Sequence, residues 1–274
     1  KLAESLKKLI LENLDDFSEI TIAGPGFINF KFTMKMYQKL IISILESNKK
    51  YGSNNKSETY NIEFVSANPT GPMHVGHSRG AIFGDVLANL LIFNGNNVTK
   101  EYYINDYGNQ IINFTESVFY RLREIEFNEK FPNQENLYPG EYVIDIAKNI
   151  LKDFQKLDLS NFKKIFDMLS RESLKHSMNL IKADLKALGI SHDNFISEKS
   201  LVEMNLVEKA IQNLKNKKFV EEGYLNPPRG EENKDWKKIK RLIFKSTLFG
   251  DDTDRALQKN DGTWTYFAND VAYH

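Results

Sequence analysis

The sequence predicts an α/β protein built on a parallel sheet, and three observations support this fold class. A short apolar, β-prone run at residues 60–65 leads through a loop rich in proline and glycine into a helical stretch that ends near Phe93. A second β-prone run follows at residues 98–104, so strand, helix and strand form a βαβ unit. Helical spacing of apolar residues then dominates residues 111–189, and short strand-like runs return in the last third.

The composition is that of an ordinary globular protein. Charged residues make up 27% and hydrophobic residues 41% of the 274 residues, which excludes a collagenous or wholly disordered chain. Lysine plus arginine equals aspartate plus glutamate at 37 each, so any contact with a polyanion must come from a local patch. The chain has no cysteine, no apolar run approaching the ~20 residues of a membrane span, and no signal-peptide pattern. We therefore expect a cytoplasmic protein without disulfides, thiolate metal sites or membrane association.

Residues 1–33 predict a helix followed by a hairpin. Leucines recur on one face of the helix, and Gly24-Pro25-Gly26 supplies the turn between two alternating runs. Residues 34–59 predict a linking helix and a polar loop. A helix and a hairpin are too small to be stable alone, and the first helix has no cap before Lys1, so we expect residues to be missing there.

Residues 60–274 predict the larger domain, which begins with the βαβ unit and carries a helix-rich insertion over about residues 111–230. We further predict an irregular stretch at residues 127–140, a helix at 201–214 and a turn at 227–228. Two strands should follow at 241–245 and 264–267, and a final helix should begin at 269–274. No capping signal closes that last helix, so we expect the chain to be a piece of a longer protein at this end as well.

The βαβ unit also predicts where a ligand binds. Because a parallel crossover is nearly always right-handed, the ends of both strands face one edge, and residues 105–108 should lie beside the loop that precedes the helix. Asn105, Asp106, Gly108 and Gln110 are therefore candidates for the rim of a site, although a plain turn explains the Asn-Asp-x-Gly pattern equally well.

Two histidines, His74 and His77, stand at the predicted start of the helix. Residues three apart share a helix face, so both imidazoles should lie next to unpaired backbone N–H groups and the positive end of the helix dipole. Such a place suits a polyphosphate, and imidazole donors could offset charge that builds on an α-phosphate. Gly76 removes a side chain where a nucleotide must approach the backbone.

Other interpretations compete at this point. A His-x-x-His pair on a helix can bind zinc, but the chain has no cysteine and no third ligand lies nearby in sequence, so we predict no metal site. The histidines could equally be structural residues without a ligand. The patterns G-x-x-x-x-G-K-[ST] and G-x-G-x-x-G are absent, which argues against a P-loop and against a dinucleotide fold. Spacing alone leaves the nucleotide interpretation and the structural one open.

A resemblance to a known family favours the nucleotide interpretation. The sequence His74-Val75-Gly76-His77 resembles the HIGH signature of class I aminoacyl-tRNA synthetases. The wider run EFVSANPTGPMHVGHSRGAIFGD resembles bacterial arginyl-tRNA synthetases, and so do four further segments in order, GPGFINF, EYYINDYGNQI, FGDDTDRAL and DGTWTYFANDVAYH. Five ordered matches from Gly24 to His274 are much harder to obtain by chance than one motif of four letters.

The resemblance implies a fold and an activity. The fold is a Rossmann-like parallel-sheet catalytic domain with a helical insertion, plus the remnant of an N-terminal α+β domain that binds tRNA. The activity is that of an arginine–tRNA ligase, in which arginine and ATP with Mg²⁺ give arginyl-adenylate, and the arginyl group then passes to the 3′ end of tRNA(Arg). In this family, activation generally requires bound tRNA. We expect a monomer with no tightly bound cofactor.

Site residues follow from the resemblance where this sequence matches. Pro69, His74, Gly76 and His77 would bind ATP, and both histidines would stabilise the transition state of adenylation. The residues that would contact arginine are Glu63, Ser66, Asn68, His77, Tyr266 and Asp270. The physics agrees, because a planar guanidinium with five donors requires carboxylates and a shaped wall. The alternatives are a surface charge for Glu63 and a core aromatic for Tyr266. Ala67 departs from the family pattern, which often has proline there.

Some expected parts of the family are absent from this sequence. The KMSKS-type loop and the helical anticodon-binding domain are not present, so we expect this piece to be inactive in isolation. The run KDWKKIKR at residues 234–241 could contact the acceptor end of tRNA, although such a run is more often a solvated face. The rival hypothesis is a non-catalytic, synthetase-like module that binds nucleotide or RNA.

Overall fold

The computed structural model describes residues 1–54, 57–154, 156–225, 239–259 and 261–274. These residues form two compact units. The first consists of Lys1–Thr59 and Asn89–Asn97, and the second of Tyr60–Ala88 and Val98–His274. No helix within the described ranges combines the length and the apolar character needed to cross a membrane.

The first unit contains the predicted helix, hairpin and linking helix. Helix α1 (Leu2–Asn13) precedes strands β1 (Phe17–Ala23) and β2 (Phe27–Phe32), which pair antiparallel across the glycine-rich turn. Helix α2 (Met34–Ser47) follows directly, because the Thr33 hydroxyl accepts a hydrogen bond from the backbone N–H of Met36 and caps its first turn.

The second unit is organised by a three-stranded sheet, which confirms the predicted α/β class. Its strands β3 (Thr59–Glu63), β4 (Asn97–Ile104) and β5 (Asn194–Ser197) lie in the order β3-β4-β5, and β4 and β5 are parallel. Helix α3 (Val75–Phe93) connects β3 to β4 as predicted. Strand β5 was not predicted, because four residues carry too little of an alternating pattern to be recognised in sequence.

Three helices connect β4 to β5, as the helical spacing predicted. They are α4 (Asn109–Phe127), α5 (Glu141–Asp153) and α6 (Phe162–Ala187), and the stretch between α4 and α5 is irregular as predicted. Their facing apolar stripes bury a common core that includes Phe114, Leu122, Ile146, Ile150 and Leu169. The C-terminal half of α6 instead packs on the sheet through Met178, Ile181 and Leu185.

The last third differs from the sequence prediction in two places. The helix predicted at residues 201–214 is two helices, α7 (Glu198–Glu203) and α8 (Leu206–Asn216), because the left-handed backbone of Asn205 at φ 53° interrupts it. The strand predicted at residues 264–267 is wrong. Trp264 forms only an isolated bridge to Gln258, and the Thr265 side chain caps helix α9 (Tyr266–Tyr273) by accepting from the N–H of Ala268.

A second, antiparallel sheet of three strands lies next to these helices in sequence. It consists of β6 (Val220–Gly223), β7 (Arg241–Phe244) and β8 (Arg255–Ala256), so the strand predicted at 241–245 is confirmed. The range predicted as a helix-rich insertion therefore also contains strands β5 and β6. The predicted turn at residues 227–228 lies outside the described residues, and so do residues 234–238 of the basic run.

Helix α3 approaches the end of β3 at Gly84. A Cβ placed on Gly84 would lie 2.3 Å from Cγ and 2.5 Å from Cβ of the buried Phe64, so only glycine permits this separation. The contact thus sets how closely α3 packs against the first residue after β3.

We predict that Gly84→Ala destabilises the protein by about 1–3 kcal/mol, because the added methyl forces the helix away from Phe64. The measurement is the free energy of unfolding in urea. Gly80→Ala on the same helix is the matched control, since nothing lies within 4 Å of its added Cβ. We expect this control to be neutral or to gain up to about 1 kcal/mol from helix propensity. Equal effects of the two variants would contradict the packing argument.

Candidate active site

The loop between β3 and α3 has a strained backbone at its start. Val65 has φ 73° and Ser66 has φ 39°, and both lie in the left-handed region that β-branched and bulky residues rarely adopt. Such conformations cost on the order of 1–3 kcal/mol each and persist where the surroundings determine them. The strain lies immediately after Glu63 and Phe64, where the chain leaves the sheet.

Side chains from other elements hold this loop through its backbone carbonyls. Four loop carbonyls accept hydrogen bonds from side chains. The Phe64 carbonyl accepts from His192 Nε2 (3.3 Å) and the Ser66 carbonyl from Asn105 Nδ2 (3.2 Å). The Ala67 carbonyl accepts from the Tyr102 hydroxyl (2.9 Å) and the Thr70 carbonyl from the Tyr142 hydroxyl (2.8 Å). The donors come from β4, the segments that follow β4 and α6, and the first turn of α5. The loop is therefore tied to the sheet and to the helical insertion at once.

The predicted arginine contacts in this loop already interact with one another. The Ser66 hydroxyl donates to the Glu63 carboxylate and accepts from the backbone N–H of Tyr103 at 3.0 Å. The Asn68 amide donates to Gln110 Oε1 at 2.9 Å. The sequence prediction that the end of β4 lies beside the loop is thus confirmed. Glu63 and Asn68 are exposed, Ser66 is half-buried, and Pro69 is buried.

His74 and His77 form a reciprocal cap on helix α3. His74 is the N-cap residue, because its carbonyl accepts the first helical hydrogen bonds, from the N–H groups of His77 (2.9 Å) and Ser78 (3.2 Å). Its ring Nδ1 accepts from the N–H of Gly76 at 3.1 Å, and Nδ1 of His77 accepts from the N–H of His74 at 3.3 Å. The arrangement resembles a capping box with imidazoles in place of the hydroxyl and carboxylate, except that the N-cap side chain accepts from the second helical residue, Gly76, and not from the third.

The cap fixes the tautomer of both rings. A ring nitrogen that accepts a hydrogen bond carries no proton, so the neutral imidazoles carry theirs on Nε2 and present two N–H donors beside the helix N-terminus. Burial, together with the neighbouring His74, lowers the pKa of His77, which favours the neutral form. The rings stack with centroids 3.7 Å apart, as the shared helix face predicted.

Gly76 serves this arrangement directly. A Cβ at this position would lie 2.9 Å from Cε1 and 3.1 Å from Nδ1 of His74. The sequence predicted that Gly76 leaves room for a nucleotide. In the structure, the group nearest to the missing side chain is the His74 imidazole.

Two of the predicted arginine contacts are carboxylates that lie near each other, Glu63 at the end of β3 and Asp270 on α9. Burial raises the pKa of Asp270 despite the opposing charge of His274, and the nearby Glu63 carboxylate raises it further. The structure therefore brings together Glu63 and Asp270, which lie far apart in sequence. Tyr266 lies one turn before Asp270 on α9 and is exposed, with the Lys259 ammonium 5.7 Å from its ring centroid.

Sequence reasoning missed a third carboxylate, Glu198, which is only 2% exposed. Burial raises its pKa, a hydrogen bond from Asn269 opposes that shift, and the charges of Asp106 and Asp270 add to it. One carboxylate oxygen accepts from Asn269 Nδ2 at 2.7 Å, and the other has no hydrogen-bond partner among the residues that the structure describes. The Tyr103 hydroxyl is also buried without a partner, and it senses the same carboxylates. Orphaned buried polar atoms of this kind indicate a place for a polar ligand.

A cavity of about 460 Å³ opens beside these acids. It is lined by Asn61, Ile62, Glu63, Glu101, Tyr273 and His274. Burial opposes the charge of Glu101, but hydrogen bonds from Tyr273, Asn61 and Asn194 outweigh burial and lower its pKa. Glu101 is therefore a structural anion. Glu63 and Glu198 instead accept hydrogen bonds from neutral groups, the Ser66 hydroxyl and the Asn269 amide, and the charge of Lys259 opposes the raised pKa of Glu198.

One further group of potential metal ligands occurs in the part of the chain that the structure describes. It consists of Asp153, Glu172 and His176, whose ligand atoms lie within 4.8 Å of one another. Lys175 (2.9 Å) and Arg171 (3.2 Å) already pair with the Glu172 carboxylate, and His176 lies 3.3 Å from Asp153. We therefore interpret the group as an ion-pair network that joins α5 to α6.

Comparison with known families accounts for nearly the whole chain. Residues 40–274 match the family described as tRNA synthetases class I (R), catalytic domain. The chain belongs to this family. Residues 1–32 match a second family, the arginyl tRNA synthetase N terminal domain.

Individual relatives of this class I synthetase chain agree. It is 54% identical over 276 residues to an arginine–tRNA ligase of Pelagibacter ubique (strain HTCC1062), covering 100% of this chain and 48% of that protein. It is 47% identical to an arginine–tRNA ligase of Ehrlichia ruminantium (strain Welgevonden), covering 96% and 46%. A solved structure described as an arginyl-tRNA synthetase from Campylobacter jejuni superposes with a TM-score of 0.74 at 31% identity, covering 89% and 50%. The chain thus spans about half the length of the relatives it matches.

We predict that stability falls as the pH drops below about 6.5, in part through His192. Burial lowers the pKa of His192 from its ordinary value of 6.5, although its bond to Phe64 opposes the shift. The unfolded chain then binds more protons than the folded one, so the stabilising contribution is present above this pH and is lost as the pH falls.

The measurement is the melting temperature at about pH 7.5 and about pH 5.5 for the wild type and for His192→Phe. We expect a smaller difference between the two pH values in the variant. Identical differences would show that His192 titrates alike in the folded and unfolded states.

Proposed function

We propose that the protein containing this chain is an arginine–tRNA ligase, which activates L-arginine with ATP and transfers the arginyl group to the 3′ end of tRNA(Arg). The observation that carries the proposal is a group of carboxylates, two of them with pKa values raised by burial, near a loop that leads into a histidine-capped helix start. One part suits a guanidinium and the other a polyphosphate. The names of the relatives support this assignment.

The ATP-binding part comprises Pro69, His74, Gly76 and His77. The first turn of α3 offers the positive end of the helix dipole, and the two Nε2–H donors add to this field. ATP would enter with its Mg²⁺ as the substrate. During activation, charge builds on the oxygens of the α-phosphate, and the fixed imidazole donors would stabilise it without reorganisation.

The arginine-binding part comprises Glu63, Ser66, Asn68, Tyr266 and Asp270, to which we add Glu198. Burial and neighbouring carboxylates raise the pKa of Glu198 and of Asp270, and a guanidinium with five N–H donors beside these acids would relieve their mutual repulsion. Carboxylates share this ligand well because its donors form a planar fork. Ammonium substrates offer only three donors on a compact charge and would leave carboxylate oxygens unpaired.

The reaction follows from joining the two parts. A carboxylate oxygen of arginine attacks the α-phosphate of ATP, and the bond to the β-phosphate breaks, which releases pyrophosphate and leaves arginyl-adenylate. A hydroxyl of the 3′-terminal adenosine then attacks the arginyl carbonyl and displaces AMP. Ser66 and Asn68 lie between Glu63 and the histidines in sequence, and we propose that they orient the reacting carboxylate. We propose a cytoplasmic, monomeric enzyme.

The test is charging of tRNA(Arg) by the full-length protein with radiolabelled arginine. We expect charging that depends on arginine and ATP, and a loss of about 10²-fold or more in the adenylation rate for His77→Ala, because one fixed donor to the phosphate disappears. A wild-type protein that binds ATP without charging tRNA would establish the rival function of a non-catalytic nucleotide- or RNA-binding module.

We predict that Asp270→Asn raises the arginine KM of the full-length protein by about 100-fold, because it removes a charged partner of the guanidinium and leaves the side-chain shape intact. The kcat at saturating arginine should change much less. The matched control is Asp145→Asn on α5, where the side chain is 72% exposed and pairs only with Lys148 at 3.7 Å. An unchanged arginine KM for Asp270→Asn would remove this residue from the pocket.

A further inference from the structure

His192 lies beneath the active-site loop, in the short connection between α6 and β5. Its Nε2 is 3.3 Å from the carbonyl oxygen of Phe64, which is 128 positions away in sequence. Aromatic rings enclose the imidazole, with centroid distances of 4.3 Å to Phe64, 5.4 Å to Tyr102 and 5.7 Å to Phe195. The imidazole is thus packed like a core aromatic and carries one directed polar contact.

The direction of that contact is determined by chemistry. A carbonyl can only accept, so Nε2 carries the proton and donates it. Nδ1 is then an unprotonated acceptor, and it is buried without a hydrogen-bond partner. The ionisable groups that act on the ring are Lys100, Asp85 and Asp193, and Lys100 and Asp85 pair with each other at 2.7 Å. The imidazole therefore works as a neutral, one-sided donor.

The carbonyl that receives this bond occupies a critical position. Phe64 is the first residue after β3, and the peptide that carries this carbonyl leads directly into Val65 at φ 73° and Ser66 at φ 39°. Strained backbone relaxes unless its surroundings hold it. A buried carbonyl that lost its donor would gain by turning toward another partner, and the turn at Val65 would change with it.

We infer that His192 is a positioning residue, whose Nε2–H holds the strained turn at Val65 and Ser66 so that Glu63 and Ser66 face arginine. The inference rests on the proposed function. His192 itself is half-buried, with its Nε2 directed at the Phe64 carbonyl, and we assign it no contact with arginine or ATP. The first turn of α3 has its own cap, formed by His74 and His77, so the ATP-binding part does not depend on this bond.

Two substitutions in the full-length protein separate the donor from the ring. His192→Phe keeps an aromatic ring and removes the N–H, whereas His192→Gln keeps an N–H donor at a similar distance and removes the ring. We expect His192→Phe to raise the arginine KM in tRNA charging by about 10-fold, with the ATP KM within about 2-fold of wild type. His192→Gln should restore the arginine KM to within about 3-fold of wild type.

Two results would overturn the inference. A wild-type arginine KM in His192→Phe would show that the bond does not position the loop. Equal losses in both variants, shared by the ATP KM, would show that the ring acts only as packing. If His192→Phe does not accumulate as folded protein, His192→Met provides an apolar side chain without an N–H donor and is judged by the same criteria.

A second measurement distinguishes this inference from the proposed function. In the full-length protein with ¹⁵N-labelled histidine at about pH 7.5, His192 should show the neutral Nε2–H tautomer. If the protein fails to charge tRNA but His192 shows this tautomer, the proposed ligase function is refuted, whereas the hydrogen bond from His192 to the loop is supported. An Nδ1–H tautomer refutes the positioning role whatever the activity.

Discussion

Backbone carbonyls in an irregular loop need donors, and this requirement organises the second unit of the protein. The loop after β3 leaves the sheet and forms no ladder of its own, so side chains of other elements must satisfy it. Tyr102 and Asn105 from the β4 side, His192 beside β5 and Tyr142 from the helical insertion each supply one hydrogen bond. The long insertion between β4 and β5 is therefore part of the site's support, and the strain at Val65 persists because several elements oppose its relaxation.

The site divides its electrostatics between two neighbouring places. At the start of α3, the Nε2–H donors of two imidazoles and the helix dipole create a positive potential. Around Asp270 and Glu198, burial and mutual repulsion keep carboxylates in an environment that disfavours their charge. A substrate with a cationic end and an anionic reacting end would fit this division, because the cation would stabilise the buried carboxylates and the anion would bind at the positive helix start. Arginine meeting ATP has this distribution of charge.

Local features were predictable from sequence, and long-range features were not. The helix start at His74 and His77, the strand–loop–helix order and the hairpin turn all depend on residues within one or two turns of each other. Glu198 escaped because its burial depends on Asn269, 71 positions later, and β5 escaped because it has only four residues. The β-prone residues at 264–267 led to the wrong prediction of a strand, because the Thr265 cap and the packing of Ala268 favour a helix that begins there. His192 carries no local signal at all.

The imidazole cap on α3 has a consequence for the order of events. Because Nδ1 of each ring already accepts from the backbone, turning either ring over would break the start of the helix. The orientation of both Nε2–H groups is therefore decided when the helix forms, before any nucleotide arrives. A bound phosphate would meet donors that have lost their rotational freedom during folding, so little side-chain entropy remains to be lost on binding. Folding of the first turn of α3 therefore also orients the donors of the proposed phosphate site.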